Sequence, residues 1–381
     1  MIGAIRTRGK RYAIEKATWG PLTGWAHRRR ITPVCTLCAP DRGERVRALI
    51  TGGCGFIGSH LAEALLGRGD QVTVIDDLST GRLENVASLV PHPRFSFAIE
   101  SITNETVMDR LVSECEVIYH LAAAVGVDLI VRDPVHVLHT NVEGSAVVLR
   151  IGARYRKRVM IASSSEIYGK STKVPFSEDD DRVVGPTSRS RWSYACSKAM
   201  DEFLALAYAK QVGLPVVVMR LFNTVGPRQT GRYGMVIPRF VRQALRHEPI
   251  TVYGDGQQTR CFAHVSDVVR AVIGLTDCQA ALGQAFNIGN TSEVTIEELA
   301  QRVIALTKSQ SRIVRVPYEQ AYEQGFEDMR RRQPDISRIT RTIGWQPIKD
   351  LDTILRDVIT YTRTDIDADR DHPADESAPC A

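Results

Sequence analysis

No uninterrupted apolar run in the 381 residues approaches the roughly 18 to 20 needed to cross a bilayer, so a helical membrane protein is excluded. The first 45 residues contain no serine and no apolar stretch of about 7 to 15 residues, so neither a mitochondrial presequence nor a secretory signal fits. Cysteines are few: beyond Cys35 and Cys38 they stand singly at Cys54, Cys115, Cys196, Cys261, Cys278 and Cys380. That spacing holds no disulfide framework, and a reducing cytoplasm fits it. No second cysteine pair or histidine pair follows Cys35-x-x-Cys38 at zinc-site spacing, and no metal is expected. Charge of one sign is lacking too. The formal charge of +5 arises in residues 1–45, with 10 Lys/Arg against 3 Asp/Glu; elsewhere 39 basic residues face 41 acidic ones. The balance leaves no nucleic-acid footprint.

The chain otherwise has ordinary globular composition, 43% hydrophobic and 24% charged, enough for one large or two ordinary domains. Residues 1–45 show neither helical nor strand periodicity and read as a disordered extension or a misassigned start, with the working protein beginning near Val46. Residues 364–381 alternate Asp with small polar residues and two prolines, which reads as a disordered tail.

Arg47 to Thr51 is a short apolar strand followed by Gly52-Gly53-Cys54-Gly55-Phe56-Ile57-Gly58 and a helical pattern through Leu61, Leu65 and Leu66. Val72 to Ile75 is a second buried strand ending at Asp76-Asp77. A βαβ unit with a glycine-rich first turn lets backbone amides approach a pyrophosphate at the positive end of a helix. Gly52, Gly55, Phe56, Ile57 and Gly58 are therefore expected to cradle a dinucleotide. Asp76, with Asp77 beside it, would take the adenosine ribose hydroxyls and repel a 2′-phosphate, which favours NAD over NADP. Further strands at Val117–His120, Val159–Ala162 and Val216–Leu221 alternate with helical stretches at Thr140–Tyr155 and Ser193–Gln211. The expected fold class is α/β: a Rossmann-like, doubly wound parallel sheet with a smaller C-terminal substrate-binding lobe. Residues 46–222, with part of 263–290, are assigned to the NAD-binding domain and 223–363 mainly to the lobe, where one late helix is expected over Ile296–Leu306.

Tyr194-Ala-Cys-Ser-Lys198 puts a phenol and an ammonium on one helix face. Such pairs are common on solvated helices. Here Ser163-Ser164-Ser165 ends a parallel strand, where α/β proteins bind ligands, so the combination points to chemistry.

With these residues in view, the chain resembles the extended short-chain dehydrogenase/reductase family of nucleotide-sugar epimerases, dehydratases and decarboxylases. The glycine turn, His120-Leu-Ala-Ala, Asn141-Val-Glu-Gly-Ser, Ser164-Ser165-Glu166-Ile-Tyr-Gly, Tyr194-x-x-x-Lys198, Arg220-Leu-Phe-Asn223-Thr-Val-Gly-Pro-Arg228, Gly256-Gln-Gln-Thr-Arg260 and Arg332-Gln-Pro-Asp335 fall in family order across residues 46–360. The resemblance implies that Tyr194 is the proton-shuttling acid/base, that Lys198 holds the nicotinamide ribose and that Ser164 hydrogen-bonds the reacting sugar hydroxyl. It implies Leu121, Ala122, Ala123 and Asn141 at the cofactor, and Asn223, Arg228, Tyr253, Arg260 and Arg332 at the nucleotide sugar. Where relatives often carry Asp near the adenine, this chain has Ser101. Relatives also pair the helices corresponding to Asn141–Tyr155 and Ser193–Gln211 into a homodimer, and Ala195, Ala199, Phe203, Leu206 and Ala207 offer a stripe for it.

The shared chemistry oxidises the sugar at C4, and neighbouring groups then decide the fate of the 4-keto sugar. Glu166 beside C5 points beyond simple epimerisation, while Ser165 stands where thymidine-sugar dehydratases place an acidic Asp. The Ser164-Ser165-Glu166 triplet resembles that of UDP-glucuronate decarboxylases, which makes decarboxylation of a UDP-sugar the leading expectation. A 4-epimerase of UDP-glucose or UDP-glucuronate, a 4,6-dehydratase and an NAD-sensing scaffold remain as alternatives.

Overall fold

The computed structural model describes residues 5–7, 10–12, 45–126, 133–231, 235–321 and 329–371. Two compact units divide the chain at Ala39 and Pro40. In the first, Ile5–Thr7 pairs antiparallel with Lys10–Tyr12. The rest of 1–44 lies outside the described residues.

The second unit is built on seven parallel strands: β1 (Arg47–Thr51), β2 (Gln71–Asp76), β3 (Phe95–Ile99), β4 (Val117–His120), β5 (Arg158–Ser164), β6 (Val216–Leu221) and β7 (Gln284–Ile288). Their spatial order is β7-β6-β5-β4-β1-β2-β3. All neighbouring pairs are parallel. The order reverses between β1 and β4, so their carboxyl ends open a crevice where the connections diverge. Both faces of the sheet are covered, which is why β4 and most of β6 are buried without alternation. Leu61 and Leu65 of helix Phe56–Arg68 and Val268 and Val272 of helix Val265–Asp277 pack on one face. On the other lie Met108, Val148 and Ala205, from helices Glu105–Glu114, Gly144–Arg154 and Arg191–Val212.

The lobe has its own apolar centre, and it holds more helix than its sequence pattern promised. Ile237, Phe240, Val241 and Ala244 place one face of helix Val236–Leu245 against Leu299 and Val303 of helix Ile296–Thr307. Thr295 caps the latter by accepting the Glu298 N–H at 3.0 Å. A parallel pair, Ile250–Tyr253 with Ile313–Val316, completes this layer. The final helix runs Leu351–Asp371, so a disordered tail from Thr364 is corrected: Ile359, Thr362 and Ile366 stay buried on one helical face. Residues 372–381 lie outside the described residues.

Candidate active site

A cleft runs from the β1 turn, past the carboxyl ends of β4 and β5, into the lobe. At its cofactor end, Gly52 has φ +69°, and a Cβ there would come within 2.8 Å of the Ala122 nitrogen. A Cβ on Gly58 would lie 2.3 Å from the Gly52 carbonyl oxygen. These contacts explain why the turn needs glycine: helix Phe56–Arg68 starts almost against the strand turn. Its N-cap is Gly55 with no side-chain cap, leaving the first-turn amides of Phe56, Ile57 and Gly58 for an anion. Asp76 closes β2, 7% exposed, and its carboxylate accepts the N–H groups of Cys54 and Leu78, both at 2.9 Å. Burial raises its pKa, opposed by those amides. Asp77, Leu121, Ala122 and Ala123 line the same end, with Ser79 and Arg82.

At the centre, Ser164, Ser165 and Glu166 meet Tyr194 and Lys198. Ser164 ends β5, and its Oγ accepts the Glu166 N–H at 3.2 Å, capping the short turn Ser165–Tyr168. Tyr194 and Lys198 open helix Arg191–Val212, both buried. Burial raises the Tyr194 pKa; Lys198 and a hydrogen bond with Ser164 pull it down, while Glu166 adds to the rise. Burial acts to lower Lys198, but Asp201, Tyr194 and Glu202 outweigh it and its pKa is raised. Lys198 stays an ammonium.

Arg332 reaches this centre from far along the chain. Its Nη2 donates to Glu166 Oε1 at 2.5 Å, and its Nη1 lies 3.4 Å from Asn223 Oδ1. The two side chains of the ion pair are only 9% and 13% exposed. The backbone carrying Arg332 is pinned: the Phe176 N–H donates to the Gln333 carbonyl and the Asp335 N–H to the Phe176 carbonyl, both at 2.8 Å. Arg260 lines the cleft nearby, its Nη1 held by the Thr259 and Met329 carbonyls at 2.8 Å. Deeper in the lobe the Arg239 guanidinium lies 4.0 Å over the Tyr253 ring. Gln258 Nε2 ties the Tyr253 carbonyl to the Tyr318 hydroxyl, at 3.0 and 3.1 Å. Among the described residues, five arginines and a lysine thus line the cleft against Asp76, Asp77, Glu100 and Glu166, a distribution suited to elongated phosphate-bearing ligands.

Residues 49–358 match the family described as GDP-mannose 4,6 dehydratase. The chain belongs to that family. It is 43% identical over 318 residues to UDP-N-acetyl-alpha-D-glucosaminuronate decarboxylase from Bacillus cytotoxicus, which covers 83% of this chain and 98% of that protein. It is 38% identical over 318 residues to UDP-glucuronic acid decarboxylase 1 of Danio rerio, covering 84% and 73%. Among solved structures, UDP-glucuronic acid 4-epimerase from Bacillus cereus, with UDP-glucuronic acid and NAD, superposes with a TM-score of 0.76 at 27% identity, covering 84% of this chain and 99% of that one. UDP-glucose 4-epimerase from Thermotoga maritima gives 0.75 at 31%, with 84% and 99% covered.

Within this family frame, some expected site residues take other places. Asn141 does not line the cleft: fully buried, its Oδ1 accepts the Ala124 N–H at 2.8 Å and its Nδ2 donates to Ser197 Oγ at 3.3 Å. Its amide is consumed in tying the loop after β4 to the helix of Tyr194, and neighbouring Thr140 lines the cleft instead. Arg228, expected at the sugar, donates from Nη2 to Glu63 Oε1 at 2.5 Å, on the helix that starts at the glycine turn. Its side chain still lines the cleft. Glu100 and Ile102, on either side of Ser101, line the cleft; the Ser101 hydroxyl instead bonds Thr103 at 2.8 Å. The proposed pairing stripe splits as well, with Ala195 and Ala199 buried and Phe203 60% exposed. Sequence reasoning missed Arg239, Gln258, Tyr318 and Asp201. Gln258 sits two residues before Arg260, and Asp201 follows Lys198 by three, so both carried a spacing signal; Arg239 and Tyr318 carried none.

Proposed function

We propose that this chain is an NAD-dependent UDP-uronate decarboxylase that releases CO₂ from UDP-glucuronate, or from its 2-acetamido counterpart, through a 4-keto sugar. The observation that carries this reading is the buried Glu166–Arg332 pair beside Tyr194. The cofactor end fits a dinucleotide, because the Gly52 and Gly58 backbones leave the room that a Cβ would fill and the helix start has no cap of its own. The Gly52–Gly58 turn and Asp76 would hold NAD, which would supply a hydride acceptor and donor for sugar C4. Tyr194 takes the C4 hydroxyl proton, helped by Lys198 and Ser164, which favour the phenolate. Once C4 is a ketone, the C6 carboxylate is β to it, and CO₂ leaves as the C5–C6 electron pair moves toward the C4 oxygen. A solvent proton taken up at C5 restores the C4 ketone, and Tyr194, now protonated, returns its proton to the C4 oxygen as that ketone is reduced. Glu166 occupies Nη2 of the Arg332 guanidinium, so that nitrogen is not free to stabilise the substrate carboxylate before CO₂ leaves.

The 4-epimerase reading draws on the similarity to the Bacillus cereus structure. Decarboxylation is preferred because the decarboxylases are the more similar in sequence, at 43% and 38% identity, and because epimerisation has no need of a buried carboxylate at this position. Incubation with UDP-glucuronate, UDP-N-acetylglucosaminuronate and neutral UDP-hexoses, with products identified by mass, decides between them. Loss of CO₂ from a uronate supports decarboxylation; an isomer of unchanged mass and no CO₂ moves the assignment to the epimerase. In a decarboxylase, Glu166→Gln accumulates reduced nicotinamide and keto sugar, since C4 oxidation survives while the later step slows.

A homodimer in the cytoplasm completes the proposal. Met200 and Phe203 are 53% and 60% exposed on helix Arg191–Val212, beside exposed Val135 on helix Pro134–Leu138, an apolar surface suited to a second copy. Among the described residues Cys54, Cys115, Cys196 and Cys261 are free, which a reducing compartment fits, and no helix is long and apolar enough to cross a membrane. Light scattering at the mass of one 42.3 kDa chain contradicts the dimer.

A further inference from the structure

Behind the cleft, the buried carboxylate of Asp201 has no part in the decarboxylation steps. Asp201 is 1% exposed, and its Oδ2 accepts Lys198 Nζ at 3.0 Å, while Oδ1 has no hydrogen-bond partner among the described residues. A second buried polar series lies nearby, starting from Ser145 on helix Gly144–Arg154. Ser145 Oγ lies 3.0 Å from His120 Nε2, and His120 Nδ1 lies 2.8 Å from Thr51 Oγ1, at the ends of β4 and β1. The Ala122 N–H closes the series by donating to Thr51 Oγ1 at 3.2 Å.

His120 is neutral, its pKa driven down to about 3 by burial and by Lys198. With no charge on that ring and no hydrogen bond to Asp201 Oδ1, Lys198 is the cation that the Asp201 carboxylate meets. A lysine ammonium on a four-carbon stem has many rotamers. In a dry site, the group that receives it decides where its charge sits.

We propose that Asp201 is the positioning residue of the acid/base centre: one turn further along the same helix, its buried carboxylate fixes the Lys198 ammonium at Tyr194. The inference rests on the acid/base reading of Tyr194 and Lys198.

The test is a double-mutant cycle on the full-length, cofactor-loaded enzyme, with formation of reduced nicotinamide from UDP-glucuronate as the signal. Asp201→Asn keeps the shape and removes the charge, and is expected to lower kcat about 10- to 100-fold with KM within about twofold, the scale of a small misplacement of a catalytic group. In a Lys198→Met background the same change should alter kcat less than about twofold, because no ammonium remains to be placed. Thermal unfolding gives a readout independent of turnover: Asp201→Asn raises the midpoint of the Lys198→Met protein, since it removes a buried carboxylate left without its partner. An equal loss of kcat in both backgrounds, or parental kcat in Asp201→Asn, overturns the proposal. Should Asp201→Asn not fold, Asp201→Ser removes the same charge with a smaller side chain and is expected to lower kcat about 10- to 100-fold at unchanged KM, a parental kcat again overturning the proposal. Full activity in Tyr194→Phe would instead sink the acid/base reading, a separate result.

Discussion

The two ends of the cleft are built by different means. The core of the cofactor end lies within about thirty residues of chain, and its working parts are mostly backbone: a glycine turn and open amides, with Asp76, fixed by β1, β2 and the helix between them and flanked by Leu121–Ala123 after β4. The sugar end is assembled from side chains far apart in sequence, with Glu166 and Arg332 separated by 166 positions and Asn223 between them. Its arginines hang from a helix (Arg239), a short strand (Arg260) and a loop (Arg332), and each is aimed by a carbonyl or carboxylate from another part of the chain. A site made of backbone tolerates almost no added atom; a site made of long side chains tolerates motion but not loss of a partner.

The largest effect should come where the two ends meet. Tyr194→Phe removes the proton acceptor, and reduced-nicotinamide formation is expected to fall on the order of 10² to 10⁴-fold while sugar-nucleotide affinity, read by calorimetry, changes little. Retained turnover would place the acid/base elsewhere. Next, Gly58→Ala puts a Cβ 2.3 Å from the Gly52 carbonyl, and is expected to cost about 1–3 kcal/mol of stability and to empty the protein of NAD on purification. The matching change at the other end, Arg332→Lys, should leave NAD content untouched and lower turnover of the uronate. Loss of NAD in both variants would erase the contrast.

A smaller effect concerns pH. The folded-state pKa of His120 is depressed from 6.5 to about 3, so the folded protein holds the neutral ring. Its contribution is fully present above about pH 6.5 and is lost as pH falls, because the unfolded chain takes up a proton that the folded one refuses. Urea unfolding should show a loss of about 1–2 kcal/mol between pH 6.5 and 5 from this group. His120→Asn should lack that slope, and an unchanged slope would assign the acid sensitivity to other residues. Smallest of all, Asp76→Ala should cut the preference for NAD over NADP about tenfold, from loss of the ribose acceptor. Equal binding of the two cofactors by the parent protein would remove the basis for the assignment.

Much of the fold and the site is legible in the sequence wherever the signal is local. The span from Arg47 to Asp77 reads as strand, glycine turn, helix and strand because each is a period or a punctuation within a few residues. The strands at Val117, Val159 and Val216 are equally clear as apolar runs, and Tyr194 with Lys198 comes from helical spacing. The lobe is harder. The Ile237, Phe240, Val241, Ala244 stripe carries a helical signal that Pro238 obscures, since proline is tolerated only in a first turn whose start is not marked by a side-chain cap. The helix through Asp371 is lost among aspartates, although Ile359, Thr362 and Ile366 keep its period.

The sequence by itself determined the sheet, the cofactor crevice and the presence of a Tyr–Lys pair, because chain-local periodicity and glycine sterics need no knowledge of what lies opposite. Only the tertiary structure decided that Arg332 closes on Glu166, that Arg239 stacks on Tyr253, that Arg228 turns to the cofactor helix and that Asn141 and Asp201 stand behind the cleft. Those outcomes depend on which side chains meet across distant elements, and burial then gives each meeting its weight: a charge in a dry site must find its partner, and no spacing along the chain names which partner that is.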